Sequence, residues 1–323
     1  MTLTRGQLIL FTCFVAAFML TYLIAYLLAG TAKSGEGTVI REQGPESHRQ
    51  KASTPSSGGR AFLTALALVG FPGAIVLMDP RAIIGVATGL LTGLIGLADD
   101  LMKLARHDSS GLKARYKLPL QILVGLIASL AVWYLLDDSS VRIPFSRITV
   151  DIGAWKIILG LFVFLAIING VNFTDGLDGL AATTVIAAAV FLGGAIWSTS
   201  DGSILVPVIL VGICAAFLPF NWHPARIFMG DSGSLVLGGA LAAAAIATCL
   251  EIAVLIIGLV FIIEETTVVL QVVYFRLTGG KRIFRMTPIH HAWELRGYTE
   301  PAIVLGALAI GVIAGAIGWW SVT

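Results

Sequence analysis

Apolar residues run through this 323-residue chain in long blocks, broken by short polar stretches. A helix needs about 20 mainly apolar residues to cross the hydrocarbon of a bilayer. Ten segments approach that length, at roughly 7–29, 61–78, 82–98, 118–136, 155–170, 179–198, 204–220, 233–250, 252–275 and 301–320. Backbone polar groups left open to lipid are too costly, so each segment is expected to be helical. The expectation is an all-α polytopic membrane protein of about ten spans, forming one integral membrane domain over residues 1–323. The first run is too long for a signal-peptide core and is read as a retained span. Asp79-Pro80-Arg81 fits a tight turn between the second and third spans, and the carboxylates Glu264 and Glu265 inside the ninth run suggest a break there. Around 137–154, short β-rich runs (Val141-Arg142-Ile143 and Ile148-Thr149-Val150) predict a small hairpin with no evident chemistry of its own.

Basic residues orient the spans. The loops after spans one, three, five, seven and nine share one side and carry 16 of the 21 Lys and Arg; only Arg5, Arg81, Arg142, Arg147 and Lys156 fall on the other. The positive-inside rule then makes the first side cytoplasmic and puts both termini outside. Composition agrees, with 57% hydrophobic and 12% charged residues, about half the charge of a soluble domain. A net charge of +2 gives no argument for nucleic acid. Cys13, Cys214 and Cys249 lie singly in apolar runs and form no metal or redox pair.

The unusual polar clusters all fall in the loops assigned to the cytoplasm. Asp99 and Asp100 end the third span, one turn before Lys103. Adjacent carboxylates at a membrane boundary lose hydration and repel, which a divalent cation or a shared proton relieves. The stretch Asn169-Gly170-Val171-Asn172-Phe173-Thr174-Asp175-Gly176-Leu177-Asp178-Gly179-Leu180 offers hard oxygens, carboxamides and glycines for close backbone approach. In Asn221-Trp222-His223-Pro224-Ala225-Arg226-Ile227-Phe228-Met229-Gly230-Asp231-Ser232-Gly233-Ser234, Asp231 precedes a new helix, where free amides and the helix dipole favour anions. Phe228 can present a ring face to a base, and His223 before proline reads as structural. A basic block at 276–296 contains Thr287-Pro288-Ile289-His290-His291-Ala292-Trp293-Glu294, which lacks the spacing of a zinc protease. Lys51-Ala52-Ser53-Thr54-Pro55-Ser56-Ser57-Gly58-Gly59 alone would read as a linker.

In block order these motifs resemble the polyprenyl-phosphate N-acetylhexosamine-1-phosphate transferases over nearly the whole chain. Lys-x-x-Thr-Pro-x-x-Gly-Gly at 51–59 and the His-His block running into Glu294-Leu295-Arg296-Gly297 are similar to the phospho-N-acetylmuramoyl-pentapeptide transferase branch. Two motifs depart from that branch: Ala292 replaces a third histidine, and Ser56-Ser57 replace Thr-Met. The resemblance implies transfer of phospho-N-acetylmuramoyl-pentapeptide from UDP-MurNAc-pentapeptide to undecaprenyl phosphate, giving lipid I and UMP at the cytoplasmic face of the bacterial inner membrane. It also implies a homodimer and Mg²⁺, with Asp231 as the foremost ligand and Asp99 or Asp100 beside it. Asp99 would deprotonate or orient the lipid phosphate; a covalent aspartyl-phosphate route is the rival. Asn169, Asn172, Asp175 and Asp178 would organise the nucleotide and metal pocket, and Asn221, Phe228 and Gln271 would meet uridine. His290 and His291 would take the diphosphate, and Lys51, Lys103 and Lys117 phosphate groups. Two alternatives are a UDP-GlcNAc transferase of the same superfamily and a secondary transporter. A transporter would carry ionisable groups deep in several spans and repeated halves, whereas here they collect at one face without an internal repeat.

Overall fold

A computed structural model describes residues 4–31, 54–106, 111–199 and 204–323. All ten apolar segments are helical. Helix α1 spans Arg5–Thr31; α2 (Gly59–Ala65), a π-helical turn (Leu66–Gly70) and α3 (Phe71–Leu77) make the second rod. It ends at Met78, whose φ of 53° turns the chain into α4 (Pro80–Arg106), with Asp79 Oδ1 accepting the Arg81 amide at 2.9 Å. There follow α5 (Ala114–Leu135), strands β1 (Ser140–Arg142) and β2 (Thr149–Asp151), α6 (Trp155–Thr174), α7 (Leu180–Thr199), α8 (Leu205–Asn221) and α9 (Gly230–Ala247). The chain closes with α10 (Glu251–Ile257), α11 (Leu259–Leu277), the short α12 (Ile289–Glu294) and α13 (Glu300–Trp320). Among the described residues eight helical rods are long and apolar enough to cross a membrane, the α10–α11 pair would make a ninth, and α8 is a shorter apolar helix.

The ninth run does break, but not at its carboxylates. Helices α10 and α11 meet at 85° around Gly258, while Glu264 lies within unbroken α11. Glycine is a poor helix former, and a Cβ at Gly258 would come 3.0 Å from the Val254 carbonyl. A buried carboxylate needs a partner rather than a kink, and Glu264 has one in the active-site region described below.

Helix α9 is the axis of the bundle, with 89% of its apolar window buried, and it packs against α4, α6, α2, α5 and α8. Its sequence after the first turn is almost entirely Gly, Ala, Val and Leu. Small residues let neighbouring backbones approach closely where lipid provides no hydrophobic drive between helices. Thr92 Oγ1 of α4 donates across this contact to the Leu235 carbonyl at 2.8 Å.

The predicted hairpin forms, pairing Ser140 with Asp151, Val141 with Val150 and Arg142 with Thr149. It belongs to one end of the bundle, where Arg142 N donates to the Cys249 carbonyl (3.2 Å) and Phe145 N to the Ser321 carbonyl (2.6 Å). The sequence places Lys156 at the outer edge of the fifth span and counts it with the basic residues of that side. It lies in the first turn of α6, as the span predicts, but is fully buried, paired with Glu251 at 2.5 Å and donating to the Ser140 carbonyl at 2.5 Å. All three cysteines are buried and free.

Candidate active site

The opposite end gathers the polar clusters. Asp100 anchors them: its Oδ1 accepts the backbone N–H of Asp231 (3.1 Å) and its Oδ2 that of Ser232 (2.9 Å). These are first-turn amides of α9, which lack partners inside their own helix. A carboxylate from α4 therefore seats the N-terminus of α9 and fixes where the Asp231 side chain projects. Space for this is made by Gly96, because a Cβ there would strike the Asp231 carbonyl and the Ser232 amide. Gly230, at φ 68°, makes the turn into α9 in a region that suits glycine, and a Cβ would lie 2.6 Å from Ser56 Oγ and 2.8 Å from Asp100 Oδ2.

The 54–59 segment has a structural reason for its small residues. Phe228 N donates to the Pro55 carbonyl (2.9 Å), Gly58 N to the Phe228 carbonyl (2.9 Å) and Gly59 N to the Met229 carbonyl (2.8 Å). The segment is thus tied by backbone hydrogen bonds to residues 228 and 229 just before Asp231, with an isolated parallel bridge between Ser56 and Phe228. A side chain at Gly59 would collide with the Gly233 amide and Ser232. Lys51 lies outside the described residues.

Asp231 is the hub. Its Oδ2 receives Lys103 Nζ at 2.8 Å and Lys117 Nζ at 3.0 Å, and its Oδ1 receives Asn172 Nδ2 at 2.8 Å. Asn172 also donates to Ser234 Oγ at 2.8 Å. Lys103 lies 2.5 Å from Asp99 Oδ2 and 3.9 Å from Asp100 Oδ1. Asp99, whose side chain is only 3% exposed, also accepts the Leu112 amide on Oδ1 at 2.6 Å. Four separate stretches of chain therefore meet around three carboxylates. Oxygens of Asp99, Asp100 and Asp231 lie within 4.8 Å of one another. Three anions face two lysines, leaving one net negative charge for a further cation. Asp175, just beyond α6, is held well above the usual carboxylate range, first by loss of hydration and then by the charges of Asp231 and Asp100.

Asp178 stands in a second group rather than with these three. Its Oδ2 accepts the Ala225 amide (3.0 Å) and contacts His223 Nδ1 (3.1 Å), while its own amide donates to Glu300 Oε2 (3.1 Å). Asn221 ties the same loops, accepting the Gly179 amide and donating to the Ile227 carbonyl, both at 3.1 Å. Fully buried His290 faces Glu264 of α11, Nδ1 to Oε2 at 3.1 Å, with its Nε2 edge against Gly176. His291 Nδ1 contacts Glu294 Oε2 at 2.6 Å, and the two imidazoles pack edge to face with centroids 4.2 Å apart. Phe228 is half-buried beside the hub.

Two predicted residues are engaged elsewhere. The Asn169 amide donates to Leu165 within its own helix at 2.9 Å. Gln271 Oε1 accepts the Ile283 and Phe284 amides at 3.1 and 2.9 Å, so it holds the basic loop in place. Sequence reasoning assigned no role to Glu300, and gave Ser234 and Glu294 none beyond membership of their motifs. Glu300 opens an apolar span, and a charge at that position is a signal that invites a search for its partner.

Gly96→Ala is expected to destabilise the protein by about 1–3 kcal/mol, the usual cost of overpacking, and to lower transfer with it. Thermal unfolding in detergent and UMP release measure the two effects. Unchanged activity would mean that Asp100 does not set the position of Asp231.

The chain matches glycosyl transferase family 4 over residues 82–249, which include Asp99, Asp100, Lys103, Lys117, Asn172, Asp175, Asp178, Asn221, Phe228 and Asp231. It is similar to proteins named phospho-N-acetylmuramoyl-pentapeptide-transferase. The one from Desulforudis audaxviator is 42% identical over 87% of this chain and 88% of its own. That from Moorella thermoacetica is 39% identical over 92% and 93%, and that from Bacillus subtilis 37% over 97% of each. On matches of that extent the chain belongs to glycosyl transferase family 4, among the phospho-N-acetylmuramoyl-pentapeptide-transferases.

Proposed function

We propose that this protein transfers phospho-N-acetylmuramoyl-pentapeptide from its UDP carrier to a polyprenyl phosphate, forming lipid I for peptidoglycan synthesis and releasing UMP. The observation that supports this best is the Asp99–Asp100–Asp231 group with two lysines and a carboxamide at one end of a membrane bundle. The excess of Lys and Arg in the loops of that end supports a cytoplasmic orientation.

The donor set suits Mg²⁺: the oxygens are hard carboxylates with no thiolate or imidazole among them, and net negative charge remains. Asp231 and Asp99 would hold the ion, with Asp100 fixing Asp231 from behind. A bound Mg²⁺ supplies neutralisation of the diphosphate and polarisation of its oxygens. The residues of the chain do the rest. Lys117 and Asn172 keep the Asp231 carboxylate in one orientation, so the site is arranged before substrate arrives. Asp99 orients the acceptor phosphate and takes its proton when it arrives protonated. The acceptor oxygen then attacks the β-phosphorus of the donor, and the bond to the UMP oxygen breaks. His291, held by Glu294, donates to the diphosphate, and fully buried His290, facing Glu264, braces it through the edge-to-face contact of the two rings. The half-buried ring of Phe228 offers a face for uracil.

Purified protein supplied with undecaprenyl phosphate is expected to release UMP and form lipid-linked product from UDP-MurNAc-pentapeptide. UDP-GlcNAc is expected to give little or none. Turnover of UDP-GlcNAc in preference would overturn the donor assignment, and no turnover with either would overturn the function.

A further inference from the structure

Lys103 stands inside the carboxylate group rather than beside it. Its ammonium lies 2.5 Å from Asp99 Oδ2, 2.8 Å from Asp231 Oδ2 and 3.9 Å from Asp100 Oδ1. Those are the same three side chains whose oxygens lie close enough to share one metal ion. An ammonium has three donors and no fixed geometry, so it can satisfy two carboxylates at once as a monovalent counter-ion. A divalent ion held by those oxygens would lie within a few ångströms of that nitrogen. Two cations at that spacing, in a site sheltered from water, repel strongly.

We propose that Lys103 and the divalent cation are alternative occupants of this one cage, and that metal binding expels the lysine towards the substrate phosphates. The inference rests on the metal-cage reading given above and goes beyond it. The structure indicates which partner moves. Asp99 and Asp100 have side chains 3% and 12% exposed and are tied to backbone amides, whereas the Lys103 side chain is 32% exposed and ends on a flexible four-carbon stem. Lys117 reaches Asp231 from a different helix, touches only that carboxylate among the described residues and can stay. With Lys103 inside, three carboxylates face two ammonium groups. Once a divalent ion takes its place, the cage is neutral and a free ammonium points outward to capture a phosphate oxygen. Metal loading and phosphate capture are then coupled through a single side chain.

The test uses Mn²⁺ as a paramagnetic probe and the full-length protein in detergent, compared as wild type, Lys103→Gln and Asp231→Asn. Electron paramagnetic resonance is expected to show Lys103→Gln binding Mn²⁺ about 10- to 100-fold more tightly than wild type, the range of a typical coupling between two ligands. Equal or weaker binding would overturn the exchange. If wild type takes up no Mn²⁺, or Asp231→Asn binds it as well as wild type, the cage reading itself fails. Removing a positive charge would raise cation affinity even without movement, so a second measurement on the wild type decides the displacement. The rate at which an amine-acylating reagent modifies Lys103, read by mass spectrometry, should rise several-fold when Mg²⁺ is added. A rate that stays constant or falls would overturn the proposal, including in the event that Lys103→Gln does not fold.

Discussion

Asp231→Asn is expected to lower UMP release by about a thousandfold or more, the scale of losing a metal or oxyanion contact to a reacting phosphate. The substitution keeps the shape of the side chain, so its effect isolates charge. Asn172 can still meet an amide oxygen. Lys103 and Lys117 cannot both be balanced by one, since each now approaches within 3.0 Å of Asp231 Oδ2. The first turn of α9 should be unaffected, because Asp100 seats it through the backbone amides of residues 231 and 232. The expected result is therefore an inactive protein with nearly normal thermal unfolding. Activity within tenfold of wild type would remove Asp231 from the centre of the chemistry.

The largest effect on stability is expected at the other end. Lys156→Met leaves Glu251 buried without its cation, and breaking a buried pair from one side costs about 3–5 kcal/mol. The native pair is wholly enclosed, at 0% exposure for both side chains. Lys156 also donates to Ser140 in the hairpin, so its loss unfastens β1 from α6. Replacing both partners, Lys156→Met with Glu251→Leu, should recover much of the loss, because no uncompensated charge remains inside. Thermal unfolding of the two variants in the same detergent checks this. At a temperature where the single variant stays folded, transfer should be close to wild type, since none of these groups touches the carboxylate cage. A double variant less stable than the single one would mean that the pair contributes net stability rather than specificity.

Helices and their approximate ends are legible in the sequence, because apolar length is dictated by the bilayer and not by remote contacts. The hairpin is legible for a similar local reason. The break in the ninth run is misplaced because two carboxylates draw more notice than one glycine, although it is Gly258 that interrupts the helix. The membership of the carboxylate cluster is legible in outline: Asp99, Asp100, Lys103, Lys117, Asn172 and Asp231 all meet. Its internal division of labour is not. Nothing in the spacing of Asp99 and Asp100 says that one faces the cage and the other grips α9. Nor does spacing reveal that Gln271 holds a loop, or that Asp178 and Glu300 fasten the last helix to the loop after α6. Such roles depend on pairings between residues far apart in the chain, which periodicity cannot report.

Burial is very uneven among the helices, and the position of Asp231 gains a further meaning from it. Its helix is 89% enclosed, while α1, α5 and α13 are only 22%, 33% and 28% enclosed over their apolar windows. A bilayer that thickens, thins or stiffens acts on what it touches, through tilt and local mismatch at the perimeter. That load reaches the peripheral rods first and the central one last. The Asp231 carboxylate is thereby insulated from the mechanics of the lipid around it, and a transferase of this build can keep one site geometry as the membrane composition changes.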